Sequence, residues 1–145
     1  MTRDAAVLKA QEIASRVLAP SAGKTTRWDD FLSRLSSRLV SLESGLLGLL
    51  LSVDVGGSGL GPRAFAVVTA TLAETDASVA MVYLMHILGT ATISAARPSA
   101  AQAVKPILRE IGAGRHLSTL AFSEAGSRSH FWAPVSRARR SFVEG

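Results

Sequence analysis

A chain of 145 residues fits one domain, or one domain and part of a second. Its hydrophobic fraction of 48% and mean hydropathy of +0.28 are high for this length, and a domain of this size buries only about 68–70% of its unfolded surface, so some apolar residues are expected to meet another domain or subunit. The absence of cysteine excludes disulfides and thiolate metal sites, and the net charge of +5 is spread over scattered Lys and Arg, with only Arg137, Arg139 and Arg140 crowded together, so no nucleic-acid partner is expected.

The start, Met1-Thr2-Arg3-Asp4, has no apolar stretch behind a basic region and does not read as a signal peptide. Residues 4 to 18 place Val7, Ala10, Ala14 and Val17 at helical spacing, and Pro20 stops the run. A second helical pattern follows the polar stretch from Ser21 to Arg27, with Trp28, Phe31, Leu32, Leu35, Leu39 and Leu42 on one face. Gly45 and Gly48 interrupt its continuation into Leu49-Leu50-Leu51.

Val55-Gly56-Gly57-Ser58-Gly59-Leu60-Gly61-Pro62 is the most distinctive local pattern. An apolar run leading into glycines suggests a phosphate-binding loop. The third glycine is misplaced for that, however, and no alternation of strands and helices follows, so a glycine-rich connection between helices is the preferred reading.

Helical spacing resumes from Arg63 to Ala73 with Phe65, Val68 and Leu72 in register, and Thr75 or Asp76 is placed to cap the next helix. That helix, about Ala77 to Ala95, is apolar nearly all round, as in the central member of a bundle. Its most membrane-like stretch, Val79 to Ala96, is at the short end of the ~20 residues a span needs and contains His86, so no membrane partner is expected. His86 itself reads first as a core histidine with satisfied nitrogens. Arg97-Pro98 ends the helix. Ser99 and Gln102 form a capping box for another helix through Val104, Ile107, Leu108 and Ile111, which Pro106 should kink or delay and Gly112 and Gly114 terminate.

After His116 the pattern changes. Leu117 to Ser123 reads as a short strand, Glu124 to His130 as a polar loop, and Val135 to Val143 as a second, half-polar strand. The fold class is therefore mainly α, a helical domain over residues 1–115 followed over 116–145 by the first strands of a β-domain that two strands alone do not complete. Trp28 and Trp132 read as packing residues.

Within this framework, Leu120-Ala121-Phe122-Ser123-Glu124-Ala125-Gly126-Ser127-Arg128-Ser129-His130 resembles a signature of the acyl-CoA dehydrogenase family. Ala121, Ser123, Glu124, Ser127 and Ser129 match its pattern, while Phe122, Arg128 and His130 stand where the family has an aliphatic residue, a glycine and an aspartate. Gly45-Leu46-Leu47-Gly48-Leu49 with Gly56-Gly57-Ser58-Gly59, the junction from Leu72 to Ala80, and Met85-His86 resemble further family segments in the same order.

The resemblance implies an amino-terminal helical domain and the start of the family's middle β-barrel-like domain, in a cytoplasmic flavoprotein that is a homodimer or homotetramer at full length. It implies FAD as cofactor and an acyl-CoA or similar small molecule as substrate, with α,β-dehydrogenation of the thioester. By position, the backbone at Leu120 and Phe122 would line the flavin ring, Ser123 would hydrogen-bond near its reactive edge, and Ser129 would reach the phosphate region and border the substrate. The family's catalytic base is expected beyond Gly145, so no catalytic residue is assigned here. Arg128 and His130 keep open a flavin-dependent monooxygenase or nitroalkane-oxidase-like relative, and a non-catalytic truncated subunit is the third reading. The resemblance also implies the alternative reading of His86 as an active-site wall group. Without the resemblance, Ser123 and Ser129 would read as turn residues satisfying local backbone groups.

Overall fold

The computed structural model describes residues 1–21, 45–121, 123–126, 130, 132, 133, 135 and 137. The apolar pattern from Trp28 to Leu42 lies outside the described residues.

Helix α1 (Arg3–Ile13) begins where the Thr2 hydroxyl accepts the Ala5 N–H at 3.2 Å. It runs on through a π-helical turn, Ala14–Leu18, and a 3₁₀ turn, Ala19–Ser21, that contains Pro20. The buried face is Ala6, Ala10, Ile13, Ala14 and Leu18. Val7 and Val17, expected in the core, are only half-buried, because the stripe that meets α2 is built from methyl-sized Ala6 and Ala10, both 0% exposed. Such small residues let two helix backbones approach closely.

Helix α2 (Pro62–Ala73) has Pro62 at its first positions and buries Ala64, Val68 and Leu72. At the next junction it is Asp76 that caps. Its Oδ1 accepts from Ser78 N–H at 3.0 Å and Val79 N–H at 3.2 Å, opening α3 (Ala77–Ser94). Helix α4 (Pro98–Gly112) starts directly at Pro98, and Arg97 precedes it without a side-chain cap. The expected Ser99–Gln102 capping box is therefore not formed: Pro98 already presets the first turn, which places Ser99 inside the helix. Pro106 lies within α4 without delaying its start, and Ile107, expected on the inner face, is 41% exposed. The helix ends in a left-handed Gly114 (φ 73°), with Arg115 N–H bonded to Glu110 O and Gly114 N–H to Ile111 O, both at 2.9 Å. This is the reciprocal closure that glycine permits after a helix.

The main core joins Ala6, Ala10, Ile13 and Leu18 of α1 to Leu46, Leu47 and Leu49, to Val68 and Leu72 of α2, and to Val79, Ala80, Tyr83 and Ile87 of α3. A second, smaller cluster joins Leu51 and Val55 to Leu108 and Ile111 of α4. The architecture is thus mainly helical, with α3 central. Among the described residues no strand is formed. Leu117–Ala121, within the run from Leu117 to Ser123 expected as one, takes no regular element, and its Ser118 N–H is directed to a side chain of α3. Most of the second expected strand lies outside the described residues.

Candidate functional site

On α3, a mostly apolar helix, Tyr83, His86 and Thr90 recur three and four residues apart and so share one face. All three are buried, at 0%, 1% and 1% exposure. A buried polar atom costs free energy unless it is paired, and here the pairing reaches two separate segments.

The first is the glycine-rich loop. Tyr83 OH donates to Leu46 O at 3.0 Å, and His86 Nε2 lies 3.0 Å from Leu47 O. A carbonyl can only accept, so Nε2 carries the ring hydrogen. The loop then folds on itself, with Ser58 N–H bonded to Gly48 O (3.0 Å), Gly59 N–H to Leu51 O (2.7 Å) and Leu60 N–H to Leu49 O (3.0 Å). Gly48, Gly57 and Gly112 bring three stretches of backbone so close that no Cβ fits without displacement. These glycines serve packing, which agrees with the reading of a connection between helices.

The second segment is Leu117–Ala121. His86 Nδ1 accepts the Ser118 N–H at 3.1 Å. Ser118 Oγ donates to His86 O at 3.1 Å and pairs with Thr90 Oγ1 at 2.9 Å. Three residues along α3 from His86, Gly89 meets the backbone of Thr119, and Leu117 packs against the main core. His86 is accordingly a core histidine with both nitrogens engaged rather than an exposed wall of a site.

Downstream, Leu120 is half-buried and Ser123 exposed. Glu124 Oε2 accepts the Val135 N–H at 2.6 Å and so braces the loop. Gly126 is left-handed (φ 96°) and closes a turn. Phe122, Arg128 and Ser129 lie outside the described residues. His130 stacks on Trp132 with ring centroids 4.8 Å apart. Trp132 is 69% exposed, so it is a surface ring rather than the packing residue expected from the sequence. Ala121, Ser123, Ala125 and Gly126 are all solvent-exposed.

A separate groove of about 230 Å³ runs between the 53–55 turn and α4, floored by Val55, Val104 and Leu108. At its rim Lys105 Nζ and Asp54 Oδ2 are 3.9 Å apart. A hydrogen bond from the Ser52 side chain, aided by Lys105, holds the Asp54 carboxyl below its usual range.

Residues 2–105 match the family model described as "Acyl-CoA dehydrogenase, N-terminal domain". The chain belongs to the acyl-CoA dehydrogenase family. Comparisons with curated proteins and with solved structures give no match. The matched span takes in the glycine loop and His86, both found above in one hydrogen-bonded unit, and ends within α4, before the loop at Leu120.

The buried ring gives this acyl-CoA dehydrogenase-type domain a pH dependence. Burial pushes the His86 pKa down, with the charge of nearby His116 adding to the effect and the Leu47 and Ser118 backbone contacts opposing it. The unfolded chain then takes up the proton first, near pH ~6.5. The contribution of neutral His86 is complete above that value and is lost as pH falls below it toward the lower folded value. Urea titrations between about pH 7.5 and pH 5.5 should show stability falling in the wild type, and falling less steeply in His86→Asn, which has no proton to bind at this position. Parallel curves for the two proteins would rule out His86 as the source.

Proposed function

We propose that the chain is the helical amino-terminal part of an FAD-dependent acyl-CoA dehydrogenase-like enzyme, and that residues 120–129 form one wall of its flavin site. The observation that carries the family part of this reading is the match over residues 2–105, while the flavin wall rests on the resemblance of Leu120–His130 to the family's signature. In support, Ser118, five residues before the family-like Ser123, is bonded to the same helix, α3, that holds the glycine segment.

When bound, FAD would supply the hydride acceptor for α,β-dehydrogenation of a CoA thioester. The chain's own residues bind and orient. The backbone around Leu120 and Phe122 would line the ring, and the Ser123 hydroxyl would donate a hydrogen bond to it. Ser129 would serve the phosphate and substrate side. The outer face of α3 remains apolar and open, with Met81 58% and Leu88 36% exposed two turns apart. That stripe suits contact with the rest of the fold or with a second subunit, in keeping with the homo-oligomer implied by the family.

A single wall leaves most of a flavin in water. The 145-residue chain is therefore expected to perturb FAD fluorescence weakly in titration, to lose the cofactor on gel filtration, and to give a smaller perturbation as Ser123→Ala. No perturbation at any protein concentration would sink the flavin reading. Stoichiometric flavin after gel filtration would show instead that more of the site is built from this chain than the residues named here.

A further inference from the structure

We propose that His86 is a positioning residue that sets the register of Leu117–Ala121, and through it the Ser123 loop, against the glycine loop. Its two ring nitrogens face different segments: Nε2–H donates to Leu47 O at 3.0 Å, and Nδ1 accepts from Ser118 N–H at 3.1 Å. One rigid five-membered ring, 1% exposed, thus spans two backbones 71 residues apart in sequence.

Further contacts among the described residues also hold the second segment. Ser118 Oγ reaches His86 O and Thr90 Oγ1, Thr119 rests on Gly89, and Leu117 joins the core. From Leu120 onward, Ala121, Ser123, Ala125 and Gly126 are exposed, and Glu124 accepts the Val135 N–H. The Ser118 N–H thus ties the backbone just ahead of the loop to the helical core through a buried side chain. Its direction decides where the following residues start, and a ring nitrogen is a more directional acceptor than a rotatable hydroxyl. The link from this register to a cofactor rests on the flavin reading above, but the anchoring itself does not.

Two substitutions separate the two nitrogens. In His86→Asn the Oδ1 sits near the place of Nδ1 and can keep the Ser118 N–H while giving up Leu47. In His86→Gln the Nε2 sits near the ring Nε2 and can keep Leu47 while giving up Ser118. Amide exchange resolved by residue in the 145-residue chain is expected to speed up at Ser118 and Thr119 by about tenfold in His86→Gln, the equivalent of one lost hydrogen bond, and to change far less there in His86→Asn. If both variants speed exchange at these amides to the same degree as in the core of α2, His86 is only a structural residue and the proposal is overturned.

Should either variant fail to fold, the unmodified chain still decides. The Nδ1 resonance is expected at the position of an unprotonated, hydrogen-bonded ring nitrogen, and the Ser118 amide proton is expected to shift when His86 is protonated. A protonated Nδ1 at neutral pH, or a Ser118 amide indifferent to that protonation, overturns the proposal. FAD titration is read separately: wild type without any FAD response removes the flavin reading, while selective exchange at Ser118 still upholds the anchor.

Discussion

Gly57→Ala is expected to destabilise the chain by about 3 kcal/mol or more, near the upper end for overpacking a well-filled site. A Cβ at this position would fall on the carbonyl group and the Cβ of Leu51. Neither can retreat easily. Leu51 is 2% exposed and holds together the cluster with Val55, Leu108 and Ile111, and its carbonyl accepts the Gly59 N–H at 2.7 Å. Relief therefore means opening the loop or withdrawing Leu51 from α4, and either breaks paired backbone groups in a buried place. Domains have only about 5–15 kcal/mol of net stability, so the change should be plain in the urea midpoint. Gly61→Ala supplies the control. Nothing lies within 4 Å of a Cβ there and the backbone is not left-handed, so its midpoint should stay close to that of wild type. Equal midpoints for Gly57→Ala and wild type would mean that the loop repacks at no cost.

The helical part of this fold was legible because each helix announces itself locally. Val68 and Leu72 fall one turn apart, Asp76 is a capping residue just ahead of a long apolar run, and Gly112 with Gly114 follows the last apolar position of α4. The misses have local causes too. Helical spacing puts Val7, Ala10, Ala14 and Val17 on the α1 face, and of these Ala10 and Ala14 are buried while the two valines are only half-buried, because the close packing on α2 is made by Ala6 and Ala10. Ser99 and Gln102 have the spacing of a capping box, but Pro98 one residue earlier already starts the helix.

The site was less legible, because its links are long-range. His86 was visible as an odd polar residue in an apolar helix. Its partners Leu47 and Ser118 are 39 and 32 residues away, and no periodicity connects them. Tyr83, His86 and Thr90 do recur at helical spacing, and that polar stripe is the signal that would have pointed to a buried network. Ser118 had no such mark, being one serine in a run that read as a strand.

Gly89→Ala is the more informative second substitution, because two effects oppose each other at one atom. Replacing glycine by alanine inside a helix favours the helix by about 0.8–1.0 kcal/mol. Against this, the new Cβ would lie 2.8 Å from both the carbonyl carbon and oxygen of Thr119 and 3.1 Å from its Cα. Backbone atoms cannot rotate away as a side-chain end can, so either α3 or the Thr119 segment must move. Helix α3 is held on its buried side by Tyr83 and Ile87, both 0% exposed in the main core, while the segment hangs on Ser118 and Leu117. The segment should yield. The expected net loss is about 1–3 kcal/mol, smaller than for Gly57→Ala, with faster amide exchange concentrated at Ser118 and Thr119 and little change at the buried positions of α2. Lengthening the Ser118 N–H to His86 Nδ1 bond should also leave the loop at Ser123 less fixed, so any FAD response of the wild-type chain should weaken in parallel. A variant as stable as wild type with unchanged exchange at Ser118 would show that the helix and the segment are not in the close contact described here. Exchange that rises evenly across the core would place the strain in α3 instead.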